Sequence, residues 1–326
     1  MRGPLSWRML ESMGQLIDGK WDTRWYIPDE KGRFQRPKTR FHARAEPDAD
    51  RYHLYVSLAC PWASRIAIAR MLRGLERALP MTVVSPKMGD DGWVFGGFPG
   101  ADEDPLFGAR FLRELYVRAD PHYTGRVTVP MLWDKREGTI CVNESRELLR
   151  QLSDRDSLGR FGNPEVDLCP SHLRAEIDAV LDEIYEPVNN GVYRCGFAGS
   201  QEAYEEACRG LFAKLDELER RLATRRYMVG ETITEADICL YTTLVRFDLV
   251  YYSHFKCNVR RVQDYPNLWG YLRDLYATRG FRETTDLEQI KVHYYWSQPT
   301  VNPTRIVPLG PEVPLELPHD RARLSR

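Results

Sequence analysis

The segment Cys60–Ala63, which reads Cys-Pro-Trp-Ala, constrains the fold more than any other part of the chain. An apolar, strand-like run at 52–59 precedes it, and a helix-like run at 63–72 follows it. A cysteine at such a junction lies where free backbone N–H groups and the helix dipole stabilise a thiolate. Pro61 suits the first helical turn, because the N–H that proline lacks has no partner there. We therefore expect a reactive thiol at the start of a helix.

Ala63 occupies the position at which a C-x-x-C motif carries its second cysteine. A thiol without that partner cannot close an internal disulfide at this site. It needs an external thiol to complete its chemistry, and glutathione is the obvious candidate. Helix-terminal cysteines have pKa values of about 3.5–7.5, so we expect Cys60 to be mostly thiolate near pH 7.

Composition places the chain among soluble globular proteins. Its 326 residues suffice for two domains, and hydrophobic and charged residues make up 43% and 29% of them. A net charge of -1 offers no electrostatic basis for a nucleic-acid or membrane partner. No apolar run approaches the ~20 residues of a membrane span, and the first 18 residues lack the apolar core of a signal peptide. We expect a cytoplasmic protein.

The other six cysteines show no functional spacing. The total of seven is odd, and no paired Cys/His spacing indicates zinc, so we expect neither a disulfide framework nor a metal. Most of the thiols are expected to be buried as small apolar groups, with Cys141 in a strand and Cys239 in an apolar helix.

The first half of the chain alternates strands and helices in the thioredoxin order. The predicted elements are strand 52–57, helix 61–73, strand 81–85, a Gly- and aromatic-rich connection 87–125 with a short helix 106–118, hairpin strands 127–134 and 139–142, and helix 146–152. A connection of that length is more often functional than idle.

The second half has helical periodicity at 173–185, 204–222, 236–250 and 268–276. Thr234 and Asp237 form a capping box that begins the third of these helices. The predicted organisation is an N-terminal arm at 1–50, a thioredoxin-like domain at 51–155, a linker at 156–170, an all-α domain at 171–297 and a Pro-rich tail at 298–326. The arm is expected to lie over the thioredoxin-like domain through Trp21, Trp25, Tyr26 and Phe34. The tail either wraps the surface or is disordered.

A thioredoxin-like domain followed by an all-α domain is the glutathione transferase plan, an α+β fold. The chain resembles the glutathionyl-hydroquinone reductases, the Xi class of that family, from about residue 20 to 310. The matching segments are Ser57–Ala63, Gly92–Phe95, Arg126–Pro130, Asn143–Ser145, Arg246–Asp248 through Tyr251, His254–Asn258 and Lys291–Tyr295.

The resemblance implies a glutathione site around Cys60. Val129-Pro130 matches a cis-proline whose preceding backbone pairs with glutathione as an added strand, although an edge-strand proline is the alternative. Glu144 and Ser145 lie at a helix N-terminus and would hold the γ-glutamyl ammonium and carboxylate, although they could be a simple capping pair.

Trp93 and Arg126 are the remaining glutathione contacts that the resemblance implies. An arginine can pair with the glycyl carboxylate, while the indole packs over the peptide. Trp93 could instead be a loop anchor.

Tyr193, Tyr251 and Tyr294 match the family's aromatic-substrate tyrosines, whose hydroxyls would bind hydroquinone oxygens. The alternative for any single tyrosine is half-buried core, and the adjacent Tyr252 and Tyr295 leave the assignment open by one residue.

The implied activity is the reduction of S-glutathionyl-hydroquinones through a Cys60–glutathione mixed disulfide, by a homodimer that uses glutathione as co-substrate and no metal. Two alternatives stay open: an Omega-like thioltransferase that uses the same cysteine, and a non-catalytic glutathione-transferase-like binding module. A conjugating transferase fits less well, because it would normally use a Tyr or Ser to activate the thiol of glutathione.

Overall fold

The computed structural model describes residues 14–24 and 26–325. The N-terminal half contains a four-stranded sheet with the order β4-β3-β6-β7, in which β3 and β4 are parallel and the other pairs antiparallel. The elements of this half are β1 (Gln15–Ile17), β2 (Lys20–Asp22), β3 (Tyr52–Val56), α1 (Pro61–Leu72), β4 (Met81–Val83), α2 (Leu112–Ala119), β5 (Gly125–Arg126), β6 (Met131–Asp134), β7 (Thr139–Val142) and α3 (Ser145–Ser153).

Strand β3 is buried along its whole length, because β4 and β6 flank it in the sheet and α1 packs against it. Two predictions for this half are wrong in their bounds. The short helix begins at Leu112 rather than at 106, and β6 begins at Met131 rather than at 127. Thr128 bonds the Tyr116 hydroxyl through both its backbone N–H and C=O, so the residues before Pro130 leave the sheet.

The N-terminal arm lies over this domain, as predicted. Strand β1 pairs with β2 and with β5, and the Trp21 indole donates to the carbonyl of Asp90 at 2.6 Å. The ring of Phe34 packs edge-on against Tyr26 and Phe197, which joins the arm to the helical half. Trp25, which the sequence also assigns to this contact, lies outside the described residues.

The C-terminal half is helical. Its α-helices are α4 (Arg174–Ile184), α5 (Gly191–Gly196), α6 (Gln201–Leu222), α7 (Glu235–Arg246), α8 (Tyr252–His254), α9 (Pro266–Tyr276) and α10 (Leu287–Ser297), with π-helical turns at Tyr185–Asn189 and Phe247–Tyr251 and single 3-10 turns at Leu158–Phe161, Val262–Asp264 and Arg321–Leu324. Helices α5, α8 and α10 are not among the predicted ones.

Helix α7 is the centre of the helical half, and each of its twelve residues is buried. The predicted capping box is confirmed, since the Thr234 N–H donates to the Asp237 carboxylate at 2.9 Å. The α-helix ends at Arg246 and continues as a π-helical turn, which corrects the predicted uninterrupted helix to 250. Helix α7 also packs against α1, so it joins the two halves directly behind Cys60.

The Pro-rich tail wraps the surface. Leu315 is buried, and the guanidinium of Arg321 donates to the carbonyls of Leu222 and Arg226. None of the helices in the described ranges is long and apolar enough to cross a membrane. The domain boundaries themselves stay a prediction.

Candidate active site

A cavity of about 440 Å³ lies between the two halves of the chain. It brings together eight of the ten residues that the sequence assigns to the site: Cys60, Trp93, Arg126, Val129, Pro130, Glu144, Ser145 and Tyr193. Tyr251 and Tyr294 do not line the cavity, but lie behind Tyr193.

Cys60 is the N-cap residue of α1, with extended backbone angles and Pro61 in the first turn, as the sequence predicts. Burial raises the pKa of its thiol, whereas the Ala63 N–H, the charge of Arg246 and the Trp62 N–H act in the opposite direction. The predicted lowering of this pKa is therefore wrong for this structure. The position at a helix end is local, but the loss of solvent is set by how the two halves close over it.

The peptide bond between Val129 and Pro130 is cis, which confirms the prediction and removes the alternative of an ordinary edge-strand proline. The Cys60 Sγ lies 3.7 Å from the Val129 carbonyl oxygen, to which it donates. The thiol and this stretch of backbone therefore share one wall of the cavity.

Glu144 is the N-cap of α3, and its side chain accepts from the Arg146 N–H at 3.2 Å. The Thr39 hydroxyl donates to its other carboxylate oxygen, also at 3.2 Å. Ser145 is buried, and its Oγ accepts from Arg65 at 3.4 Å. The capping interpretation is thus correct for Glu144, and the same helix end also opens into the cavity, where backbone N–H groups favour an anion.

Trp93 stacks on His293, with ring centroids 4.9 Å apart and an angle of 13° between the planes. The indole is therefore anchored to the helical half while it lines the cavity. Arg126 is held from the other side, because its Nη1 donates to the carbonyls of Gly14 and Arg24 and its guanidinium lies 4.2 Å from the Tyr26 ring centre. The N-terminal arm thus positions this cation at the cavity wall.

The three tyrosines form one hydrogen-bonded chain. The Tyr294 hydroxyl lies 2.6 Å from that of Tyr193 and 2.8 Å from that of Tyr251. All three side chains are buried, and burial raises each of their pKa values, so the hydroxyls stay protonated. The adjacent Tyr295 instead contacts Ser253, so it does not belong to this chain of hydroxyls.

Two arginines near Cys60 escape sequence reasoning. Arg36, from the N-terminal arm, lies 4.6 Å from the Trp62 ring centre and 4.8 Å from that of Tyr193, and its Nε donates to Asn190. Arg246 bonds the turn that precedes Cys60. Arg246 belongs to a segment that carries the family resemblance, which is a usable signal, whereas nothing in the sequence distinguishes Arg36 from its neighbours.

Within the described ranges, no group of three or more His, Cys, Asp or Glu side chains is placed to hold a metal ion. All seven cysteines are free and buried. Cys141 lies in β7 and Cys239 in α7, as predicted.

Comparison with known proteins agrees with this architecture. The family of glutathione S-transferase N-terminal domains matches residues 59–155, and that of C-terminal domains matches residues 201–274. Glutathionyl-hydroquinone reductase YqjG of Escherichia coli (strain K12) is 48% identical, over 95% of this chain and 98% of that protein. Glutathionyl-hydroquinone reductase PcpF of Sphingobium chlorophenolicum is 48% identical, over 93% and 98%.

Solved structures show the same relationship. A Xi-class glutathione transferase from Natrialba magadii aligns with a TM-score of 0.89 and 46% identity, over 96% of this chain and 98% of that one. The glutathione-bound structure of YqjG from Escherichia coli K-12 aligns with a TM-score of 0.84 and 47% identity, over 95% and 99%.

The fold and the cavity between its halves define a glutathione transferase, which confirms the predicted fold class. The chain belongs to the Xi class of that family, the class of the glutathionyl-hydroquinone reductases.

Proposed function

We propose that this protein reduces S-glutathionyl-hydroquinones to hydroquinones, with glutathione as the reductant. One observation carries the proposal: Cys60 and Tyr193, which ends the hydrogen-bonded chain of tyrosines, line a single cavity from the two sides of the domain interface. The relatives that are 48% identical bear the name of this activity, and one homologous structure is described as glutathione-bound.

The first half-reaction breaks a carbon–sulfur bond. The substrate ring takes its keto form, with a proton on the carbon that carries sulfur, and Tyr193 holds a ring oxygen through its hydroxyl. The Cys60 thiolate attacks the glutathionyl sulfur, and a disulfide bond forms as the carbon–sulfur bond breaks. The electrons of the carbon–sulfur bond move through the ring to its oxygen. This oxygen takes one proton, and the hydroquinone leaves.

The second half-reaction restores the thiol. The thiolate of a second glutathione attacks the glutathionyl sulfur of the mixed disulfide, and Cys60 leaves as a thiolate. Oxidised glutathione is the product. Its two sulfur atoms, one from the thioether of the substrate and one from the second glutathione, each give up one electron, and the ring carbon that loses sulfur receives both. The kinetics are ping-pong, because the first product leaves before the second thiol binds.

The glutathionyl group is held by the residues around Cys60. The Val129 backbone pairs with the cysteinyl backbone, and Glu144 and Ser145 bind the γ-glutamyl end at the start of α3. Arg126 pairs with the glycyl carboxylate, and Trp93 packs over the peptide. Tyr251 and Tyr294 act behind Tyr193, whose hydroxyl they hold in place through the hydrogen-bonded chain.

Mass spectrometry tests the covalent intermediate. After exposure to a glutathionyl-hydroquinone without free glutathione, the protein should carry one glutathione on the peptide that contains Cys60, and Cys60→Ala should carry none. An adduct on another cysteine, or an equal adduct in Cys60→Ala, contradicts the proposed nucleophile.

A comparison of turnover on two substrates distinguishes this reaction from that of an Omega-like thioltransferase. We expect turnover of a glutathionyl-hydroquinone to exceed turnover of a small glutathione mixed disulfide, since a disulfide has no ring oxygens for the tyrosines. Equal turnover of the two substrates would favour the thioltransferase, and no turnover of either would favour a binding module.

We further propose that the protein works in the cytoplasm as a homodimer with the domain boundaries predicted from the sequence. Sedimentation equilibrium should give twice the chain mass of 37.9 kDa. Limited proteolysis should cut first within the predicted linker at 156–170. A monomeric mass, or first cuts within α1 or α7, would contradict these two proposals.

A further inference from the structure

Arg246 is a buried arginine at the end of α7, and 2% of it is exposed. Its guanidinium donates to the backbone carbonyl of Ala59 at 3.0 Å and to that of Leu58 at 2.8 Å. These are the two residues immediately before Cys60. A residue of the helical half thus holds the turn that presents the nucleophile of the other half.

Ser64 extends this contact to Cys60 itself. Arg246 donates to the Ser64 Oγ at 2.6 Å, and Ser64 donates in turn to the carbonyl of Cys60 at 3.0 Å. The remaining Nη of Arg246 donates to the Thr242 carbonyl on its own helix at 2.7 Å. The side chain is therefore fixed on both sides of the domain interface.

All of these acceptors are neutral oxygens. Within the parts of the chain that the structure describes, no carboxylate lies within ion-pair distance of Arg246, whereas the buried Arg51 and the part-buried Arg150 have Asp134 and Glu235 as partners. A buried charge without a partner costs several kcal/mol. An anion that forms next to it is stabilised in return, because water does not screen the interaction.

We propose that the thiolate of Cys60 is the counter-ion of Arg246, so that the helical half sets the reactivity of the nucleophile across the domain interface. The inference rests on Cys60 being the nucleophile of the proposed function. Arg246 is a positioning residue here: it acts on the reaction through Cys60 and does not line the cavity. The charge of Arg246 also lowers the pKa of the thiol against the effect of burial.

Other groups surround the thiol and set the baseline against which Arg246 acts. They are Arg36, Lys38 and His42 from the N-terminal arm, Arg126 in β5, Glu144 and Glu147 at the start of α3, Tyr193 on α5 and His293 on α10, together with the backbone N–H groups of Trp62 and Ala63. Burial lowers the pKa of His293 to about 4, so it is neutral near pH 7. Among the positive groups, Arg246 alone also bonds the turn before Cys60.

The test is the pH dependence of Cys60 alkylation. Iodoacetamide labelling is followed on the Cys60 peptide by mass spectrometry, for the full chain and for Arg246→Met, Arg246→Gln and Arg246→Lys. Loss of a neighbouring opposite charge shifts a pKa by about one to three units, so we expect both neutral variants to move the midpoint upward by at least about one pH unit. Arg246→Lys keeps the charge and should stay within about half a pH unit of the unsubstituted protein.

Arg321 supplies a matched control. It is equally buried and equally bound by backbone carbonyls, but it lies in the tail, away from the cavity. Arg321→Met should lower the unfolding midpoint by an amount comparable to Arg246→Met, and it should leave the alkylation midpoint where it is.

Each result decides the question. An unchanged midpoint in a folded neutral variant overturns the proposal, as does an equal shift in Arg321→Met. If both neutral variants fail to fold, Arg246→Lys carries the test: a shift of one pH unit or more would show that the hydrogen bonds to the turn, and not the charge, control the thiol. Labelling does not need turnover, so a protein inactive on glutathionyl-hydroquinones would contradict the proposed function and leave this measurement valid.

Discussion

The two halves of the cavity are built in different ways. The half that we propose binds glutathione, called the glutathione half, is formed by Cys60, the Val129-Pro130 backbone, Glu144 and Ser145. It uses helix ends and backbone groups that follow from a strand-to-helix turn and from a hairpin. The aromatic half, formed by Tyr193 at the cavity wall with Tyr251 and Tyr294 behind it, uses side chains from three separated segments. Each part of the first half therefore forms from adjacent residues, whereas the second exists only after the helical domain has packed.

This difference indicates how the two halves share the parts of the substrate in the proposed reaction. In the proposed reaction, local backbone geometry suits the constant part of the substrate, the glutathionyl group, because each glutathione presents the same backbone and charges. Side chains from distant segments suit the variable part, the ring, because they can change without disturbing the turn at Cys60. Arg246 joins the halves, since it belongs to the helical domain and bonds the turn.

The largest expected effect is the loss of the nucleophile. Cys60→Ser should lower turnover of a glutathionyl-hydroquinone by at least about a thousandfold, because removal of a catalytic nucleophile costs several orders of magnitude. Steady-state turnover by chromatographic detection of the hydroquinone measures this. Cys239→Ser, which changes a buried thiol on α7, is the matched control and should retain turnover. Substantial activity in Cys60→Ser would show that the reaction does not depend on the thiol of the glutathione half.

The second prediction tests the role of the aromatic half. Tyr294→Phe removes the hydroxyl that bonds both other tyrosines and holds that of Tyr193 in place, so turnover of a glutathionyl-hydroquinone should fall by about a hundredfold, the effect of a misplaced substrate contact. Turnover of a small glutathione mixed disulfide should not change. Tyr241→Phe, which also loses one buried hydroxyl bond, to Thr285, should affect neither reaction. Equal losses on both substrates would mean that the tyrosines support the fold and not the ring.

The third prediction concerns the start of α3. Glu144→Ala removes both the N-cap of the helix and the proposed partner of the γ-glutamyl ammonium. We expect a loss of about 1 kcal/mol of unfolding free energy and about a tenfold rise in KM for glutathione, the effect of a lost charged hydrogen bond.

Ser200→Ala separates these two consequences, because Ser200 caps α6 through the Ala203 N–H but lies outside the cavity. It should lose similar stability without any change in KM for glutathione. A Glu144→Ala protein that loses stability alone would return this residue to a capping role only.

The smallest expected effect on turnover is that of the buried histidines of the helical half. Burial lowers the pKa values of His254 and His293 to about 4, so neither should produce an inflection in the rate between about pH 5 and 8. Stability behaves differently. Both pKa values lie below that of an unfolded histidine. The contribution of each neutral histidine to the unfolding free energy is therefore complete above about pH 6.5. It is lost as the pH falls towards 4, by at most about 3 kcal/mol for each residue.

Urea unfolding at several pH values measures this dependence. The Nε2–H of His254 donates to the Gln298 Oε1 at 2.8 Å. His254→Gln removes the titrating ring, so this variant should flatten the decrease in unfolding free energy between about pH 6.5 and 4. A variant with the same pH slope as the unsubstituted protein would show that His254 is not held neutral by burial.

Sequence reasoning located most of the site because its signals are local. The start of α1 at Pro61 and the capping box at Thr234 each follow from a few adjacent residues, whereas the cis bond before Pro130 was expected from the family resemblance. The same reasoning placed β6 too early, because it had no information on the Tyr116 hydroxyl that bonds Thr128. It missed α10, whose buried residues do not follow a single amphipathic stripe.

Some properties of the Cys60 thiol are likewise set by the sequence, and others by the tertiary structure. The amino-acid sequence by itself determined that Cys60 begins a helix and that no second cysteine lies at position 63, which favours an external thiol in the proposed reaction. Only the tertiary structure decided how reactive the thiol is, because the pKa depends on solvent exclusion by both halves and on the charge of Arg246, 186 positions away along the chain. The physical reason is that capping and turn geometry act over a few residues, whereas desolvation and buried charge act through space, whatever the separation along the chain.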